Sequence, residues 1–365
     1  MIEILVVIVL IAILVALLLP AIGMAIRTAK VGQVTGEING MAQALADFRT
    51  KTGAYPPSRI LLSERGTYTI DATTQSYATG IADITDGQLA QRSVTWLRRI
   101  WPRAAFTVGT TGSPPVVPTI PGPLGFHDFN GNNAVDPPYV LTGDECLVFF
   151  LGGIPSKVST PGGGSTTFGL NGFNRDPSNP FIANTVILGS NTYSFSSRVP
   201  ALYEFKADRL RDLDNDGMPS YADTLGTGKV FAYFSAYGGG AYDGSDVDFP
   251  GEADDAGNGP LSLKFTSSYP IAGGGRTAQS ASPNPYTVSA TTGTNITYQS
   301  PNSFQIISSG IDANFGVGGA FVPGADKALP PDLANTYAGS TLETDVNVRL
   351  RENDNITSFS GGKLD

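Results

Sequence analysis

The sequence predicts an α+β protein, in which a long N-terminal α-helix packs on an antiparallel β-sheet head with long loops. Three observations support this prediction. The chain begins with a hydrophobic and then helix-periodic stretch, its remaining apolar segments are short, and its 365 residues include 44 Gly and 26 Pro. So many turn-forming residues favour short strands and loops over a helical bundle.

The first element is an almost continuous apolar stretch. Every residue from Ile4 to Leu19 is apolar, and with its flanks the stretch reaches the roughly 20 residues that a membrane-spanning helix needs. Glu3 precedes it and Pro20 follows it. Because proline removes one backbone hydrogen bond and glycine weakens a helix, we expect the helix to bend or melt between Pro20 and Gly23.

The helix is predicted to continue with one apolar face. Apolar residues recur at alternating spacings of three and four residues, which is typical of an amphipathic helix. They are Val31, Val34, Ile38, Met41, Leu45 and Phe48. Gly53 stands where such a helix would end. We therefore divide the chain into an N-terminal helix, residues 1–52, and a globular head, residues 53–365.

Glu3 needs a physical explanation, because a charged acid in hydrocarbon costs on the order of 3 kcal/mol or more. It persists there only if it is protonated or paired, and a plausible partner is the positive amino terminus of a neighbouring helix. Such a pair would set the axial register between two helices. The alternative is an ordinary anchored protein, in which Glu3 reaches the membrane interface.

The run "IEILVVIVLIAILVALLLPA", followed by the amphipathic helix and "GAYPPS", resembles the N-terminal region of type IV pilins and type II secretion pseudopilins. Glu3 matches the glutamate of that family and Pro20 its helix-breaking proline. The resemblance implies processing by a prepilin peptidase and methylation of the new amino terminus. It also implies that the subunits leave the inner membrane through an assembly machinery and pack with identical subunits in an extracellular filament or a periplasmic pseudopilus.

The head is predicted from short patterned segments. "KVFAYFSAY" and "NTVIL" favour strands, and "YVLTGDECLVFFLGG" combines a strand with a short helix that Thr142 can begin. An amphipathic helix is expected from about Gly87 to Trp101, with its arginines outward. Three segments are rich in Gly, Pro and Ser and are predicted as long surface loops: "TTGSPPVVPTIPGPLG", "TPGGGSTTFG" and "AGGGRTAQSASPNP".

Two loops have the spacing of a calcium site. In "DLDNDGMPSYAD", alternating oxygen ligands, a glycine and a closing acid match an EF-hand-type loop. Its candidate ligands are Asp212, Asp214, Asp216, the carbonyl of Met218, Ser220 and Asp223. "DFNGNNAVDP" offers Asp128, Asn130, Asn132 and Asp136 at alternate spacing, but with fewer charges and no glycine at the sixth position. A polar Asx turn is the alternative interpretation of the first loop. We expect calcium to stabilise the head.

Composition and motifs exclude several functions. The net charge of -9 argues against nucleic-acid binding, and the single cysteine, Cys146, is expected to be a buried thiol. His127 is the only histidine, and no GxSxG, HExxH or Walker A motif is present, so we do not expect an enzyme. The sequence predicts a structural filament subunit. The alternatives are an anchored calcium-dependent adhesin that does not polymerise, and an anchored hydrolase that uses two acids.

Overall fold

The computed structural model describes residues 2–70, 87–110, 113–159, 166–188, 190–213, 216–225, 228–236, 242, 246–247, 264–266, 285–288, 297–313, 315–316, 318–324, 336–338 and 351–364. Over these residues the fold is α+β. Helices α1, α2 and α3 cover Ile2–Thr52, Gly87–Ile100 and Gly143–Gly152, and two short 3-10 helices cover Ala207–Arg209 and Arg351–Asp354.

The strands in the described residues are short. In chain order they are β1 Ile60–Leu62, β2 Thr67–Ile70, β3 Thr107–Thr110, β4 Tyr139–Leu141, β5 Pro155–Ser159, β6 Thr166–Leu170, β7 Phe173–Asn174, β8 Thr185–Leu188, β9 Asn191–Ser194, β10 Arg198–Val199, β11 Leu210–Arg211, β12 Ser220–Tyr221, β13 Ala232–Ser235, β14 Lys264–Thr266, β15 Phe304–Ser308, β16 Thr336–Ala338 and β17 Ile356–Thr357. The predicted strands in "KVFAYFSAY" and "NTVIL" correspond to β13 and β8.

The strands form several small sheets. β13, β15 and β17 make a three-stranded antiparallel sheet, in which Tyr233 pairs with Ile306 and Ile307 with Thr357. Six further antiparallel pairs are β1 with β4, β5 with β6, β7 with β10, β8 with β9, β11 with β12 and β14 with β16, and β2 pairs with β3 in parallel. The single antiparallel sheet of the prediction is therefore divided within the described chain. Strands of two to five residues are too short to build one continuous sheet across long loops.

Helix α1 runs without interruption through Pro20. The expected melting between Pro20 and Gly23 is wrong, because one missing backbone hydrogen bond does not outweigh the strong helix formers on both sides. The helix ends as predicted at Gly53, which has a φ of 82° and donates its N–H to the Arg49 carbonyl at 2.7 Å.

The predicted apolar face of α1 is confirmed. Val34, Ile38, Met41, Leu45 and Phe48 are buried in the main core, and Val31 packs on it half-buried. This face contacts α3 and strands β15 and β17. The second half of α1 is thus an integral part of the head.

Helix α3 lies at the centre of the core, and each of its residues is buried. It begins as predicted at Thr142, whose backbone N–H donates to the Glu145 carboxylate at 3.0 Å. The single thiol, Cys146, is buried in this helix as expected. Phe150 meets Phe48 of α1 edge to face at 5.8 Å, so α3 joins α1 to the rest of the head.

One predicted loop contains a strand. The last four residues of "TPGGGSTTFG" belong to β6, Thr166–Leu170, which pairs with β5, so the loop assignment of these four residues is wrong. Threonine and phenylalanine favour strands, and this preference outweighs the preceding glycines. The segment "AGGGRTAQSASPNP" lies, except for its final residue, outside the described residues.

Gly143 is expected to tolerate no side chain. A Cβ atom there would lie 1.9 Å from the Tyr233 carbonyl oxygen, so Gly143→Ala requires a backbone shift between α3 and β13. We expect a loss of about 1–3 kcal/mol in the free energy of unfolding, measured by denaturant titration in detergent. Gly32→Ala is the control, since no atom lies within 4 Å of its Cβ position and alanine favours a helix. Equal stability of the two variants would contradict this prediction.

Candidate functional site

The first half of α1 is exposed. Each large apolar side chain that the structure describes between Ile4 and Ile26 is 46–70% exposed. The most apolar 18-residue window of the helix has a mean hydropathy of 3.0 and no buried residue. The helix is therefore long and apolar enough to cross a membrane, as an anchor or a signal sequence would. Glu3 lies in its first turn and Pro20 within it.

An ion pair fixes the second half of α1 to the head. Arg209 donates to both carboxylate oxygens of Glu37, at 2.6 and 2.8 Å. The two side chains are only 10% and 12% exposed. The Arg209 guanidinium also donates to the Ala222 carbonyl at 2.8 Å and lies 4.2 Å from the ring centre of Tyr221. Bidentate geometry and shielding from water make this a strong contact.

Arg209 lies at the base of a hairpin made by β11 and β12. The described residues between these two strands, 212–213 and 216–219, belong to the first predicted calcium loop. Among them, Asp216 Oδ1 accepts the backbone N–H of Met218 at 2.7 Å, which is an Asx turn. Asp214 lies outside the described residues.

The second predicted calcium loop, residues 128–136, is held by its own side chains. Asp128 accepts the backbone N–H of Asn132 at 3.0 Å. Asp136 Oδ2 accepts the side-chain amides of Asn130 at 2.7 Å and Asn132 at 2.6 Å. Hydrogen bonds within the loop therefore bring all four predicted ligands close together.

The two loops meet. The side-chain amide of Asn130 donates to the backbone carbonyl of Asp216 at 3.2 Å. Gly217, with a φ of 94°, lies against Asn130, and a Cβ atom there would be 3.1 Å from the Asn130 amide nitrogen. The sequence predicted two separate loops, and the structure places them side by side. We call this region, formed by residues 128–136 and 216–217 together with Glu64, the loop junction.

Glu64 belongs to the loop junction, although no spacing pattern indicates it. Its carboxylate accepts the backbone N–H of Phe129 at 3.3 Å and of Asp136 at 2.7 Å. Burial raises the pKa of Glu64 to about 8, and the charges of Asp128 and Asp136 act in the same direction. Burial also raises the pKa of Asp128 to about 6. The only sequence signal is an acid two residues after the buried strand β1.

The last two predicted ligands of the first loop lie away from the loop junction. Ser220 belongs to β12 and donates its hydroxyl to Asp144 at 2.5 Å. Asp223 accepts the hydroxyl of Ser308 at 2.8 Å. Within the described ranges, no three His, Cys, Asp or Glu side chains converge as they would around a metal ion. A cation at the loop junction must therefore use other oxygen ligands as well.

His127 lies in the core. Its Nδ1 is 3.2 Å from Asn179 Oδ1 and its Nε2 is 3.1 Å from the Ala105 carbonyl. Burial lowers its pKa. Its ring packs at 4.7 Å from Phe106 and 5.1 Å from Phe181, so this histidine is part of the aromatic packing behind the loop junction.

The structure thus offers two features for a functional argument: the exposed apolar half of α1 and the loop junction. Comparison with protein-family models, curated proteins and solved structures finds no match for this chain.

Proposed function

We propose that the protein is a structural subunit of a pilus-like filament or pseudopilus, which polymerises through α1 and displays its head on the surface. The observation that carries this proposal is the division of α1: its second half is packed into the head, whereas the large apolar side chains described in its first half are exposed. The resemblance of this helix to type IV pilins and pseudopilins supports it.

The exposed half of α1 suits two apolar environments in turn. From Ile4 to Lys30 the helix measures about 40 Å at 1.5 Å per residue, which is more than the roughly 30 Å of a bilayer core. The inner membrane would cover it before assembly, and the helices of identical subunits would cover it afterwards. The large apolar area gives both states a strong driving force.

Glu3 distinguishes the second environment from the first. A lone acid is costly in lipid, whereas in a bundle of parallel helices it can pair with the amino terminus of a neighbouring subunit. The pair would fix the axial step between subunits, as buried ionic groups do in other helix assemblies. Removal of the acid should therefore impair assembly more than membrane insertion.

The test compares filament yield from cells that produce the chain together with its processing and assembly machinery. Glu3→Ala is expected to reduce sheared filaments, counted by electron microscopy and immunoblot, by about tenfold or more. The level of subunit in the membrane should not change. Asp47→Ala is the matched control, because it removes an exposed acid from the head-packed half of the same helix.

Equal filament yields from wild type and Glu3→Ala would contradict the role of Glu3. If the wild-type chain stays monomeric in the membrane with all components present, the filament proposal itself fails. An anchored adhesin would then be the better explanation.

A further inference from the structure

We propose that a basic patch at the head end of α1 docks on the acidic surface of a second copy of the chain, so that neighbouring heads contact one another. The patch is formed by the C-terminal ends of α1 and α2 and by the turn after α2. Its residues are Arg49, Lys51, Arg98, Arg99 and Arg103. This inference rests on the proposed function and deepens it, since it adds a contact between heads to the contact through α1.

The fold brings the two helix ends together. The Arg99 guanidinium, near the end of α2, donates to the Gly53 carbonyl at 2.9 Å, directly after the end of α1. Arg49, in the last turn of α1, lies over the ring of Tyr55, 4.8 Å from its centre, and donates to the Tyr55 hydroxyl at 3.3 Å. Cations from two separate helices therefore share one region of the surface.

The charge of the patch is not neutralised by the described part of the chain. All five side chains are exposed, and none of them forms an ion pair with another described residue. The one acid in the last two turns of α1, Asp47, accepts the side-chain amide of Gln43 at 3.1 Å. The helix dipole favours a cation at each helix end, and this preference still leaves the patch without a counter-ion.

The rest of the chain has the complementary charge. The sequence contains 32 Asp and Glu against 23 Lys and Arg, and the patch holds five of those 23. The chain outside the patch is therefore even more acidic than the net charge of -9 indicates. When two copies approach, the favoured orientation places the patch of one against acids of the other. Exposed acids that the structure describes outside α1 include Asp176, Glu204 and Asp208.

A membrane is the other anionic surface near an anchored protein, but it lies too far from the patch. From Lys30, where the exposed half of α1 ends, to Arg49 the helix rises by about 28 Å at 1.5 Å per residue. This distance is several times the Debye length of about 8 Å at physiological salt. Lipid headgroups therefore do not attract the patch when α1 spans a bilayer, whereas the head of a neighbouring copy stands at the same height.

The contact orients the heads more than it holds them. Exposed ion pairs contribute little affinity each, whereas complementary charges guide the approach of two surfaces and determine their orientation. The apolar half of α1 supplies the larger driving force. We therefore expect the contact between heads to depend strongly on salt.

The first test uses the full chain in detergent micelles, where detergent covers α1 and contacts between heads are measured alone. A carbodiimide joins lysine amines to carboxylates without a spacer, and Lys51 is the one lysine of the patch. An equal mixture of chains with natural and with heavy nitrogen is treated, and mass spectrometry identifies the linked peptides. We expect mixed-isotope peptides that join Lys51 of one copy to an acid of another. Their yield should fall about fivefold in about 0.5 M salt.

Arg103→Glu reverses one charge of the patch and should lower the yield of these mixed-isotope peptides by about fivefold. The substitution suits the test because the Arg103 side chain is exposed and has no hydrogen-bond partner among the described residues. Lys206→Glu is the matched control, since it makes the same reversal at an exposed lysine outside the patch. Its yield should equal that of the wild type.

The second test measures sheared filaments from cells, as for Glu3→Ala. Lys51→Glu combined with Arg103→Glu is expected to reduce the filament yield by about fivefold, while Lys206→Glu leaves it unchanged. A double variant with the wild-type yield would overturn the role of the patch and leave the filament proposal intact. If the wild type forms no filaments, the filament proposal fails, and the cross-links in detergent still decide whether the heads meet.

Two results in detergent would overturn the docking proposal. One is a set of Lys51 cross-links that join residues of the same copy only. The other is a yield of mixed-isotope peptides that is equal in Arg103→Glu and wild type. If the patch binds an added polyanion such as heparin and forms no link between copies, its partner is a different anion, and the proposal is wrong.

Discussion

Replacing Arg209 by methionine is expected to lower the free energy of unfolding of the head by about 3–5 kcal/mol. The substitution leaves the Glu37 carboxylate shielded from water without its bidentate partner, and it removes the bond to the Ala222 carbonyl. Denaturant titration of the full chain in detergent, followed by tryptophan fluorescence, measures the loss.

The ion pair itself contributes less than this figure suggests, because most of the cost is the charge that remains unpaired. The double variant Glu37→Leu with Arg209→Met should therefore recover much of the stability. Arg211→Met is the matched control, since Arg211 is exposed and follows Arg209 by two residues. If Arg209→Met and Arg211→Met unfold at the same denaturant concentration, the ion pair does not hold α1 to the head.

Phe181→Ala should cost a similar amount, about 3–5 kcal/mol. Phe181 is fully buried, and its ring lies 4.5 Å from Phe129 and 4.6 Å from Trp101. Truncation leaves a cavity that the surrounding rings cannot close, because each already packs on several others. The same denaturant titration measures this loss.

Tyr193→Ala provides the control for lost aromatic surface, because Tyr193 is 40% exposed on β9. We expect its effect to stay within about 0.5 kcal/mol. The Phe181 variant should also alter the fluorescence of Trp101, its direct neighbour. A Phe181 variant as stable as the Tyr193 variant would show that the aromatic cluster repacks.

Local patterns predicted the helices well. The spacing of apolar residues in α1, the Thr142 start of α3 and the amphipathic pattern of α2 concern residues within a few positions of each other. Such patterns predict helices reliably because a helix depends on local backbone hydrogen bonds and on one buried face.

Long-range contacts escaped prediction. Glu37 and Arg209 are far apart in the chain, and each alone resembles an ordinary surface charge. Glu64 belongs to no regularly spaced set of acids in the sequence. Its position beside Asp136 depends on the pairing of β1 with β4. The two candidate calcium loops were each predicted from local spacing, whereas the contact between them through Asn130 and Asp216 is visible only in the folded chain.

The contact between α1 and β17 determines how late in folding the core around α1 can be completed. β17, at Ile356–Thr357, pairs with β15 and packs against the apolar face of α1. Part of the first helix is therefore covered by a strand that is synthesised long after it. Because contacts of such long sequence separation form slowly, the head should complete its core only after β17 has been synthesised. Until then the apolar face of α1 that normally packs in the core is exposed and prone to aggregation, so a chaperone or the membrane surface must cover it.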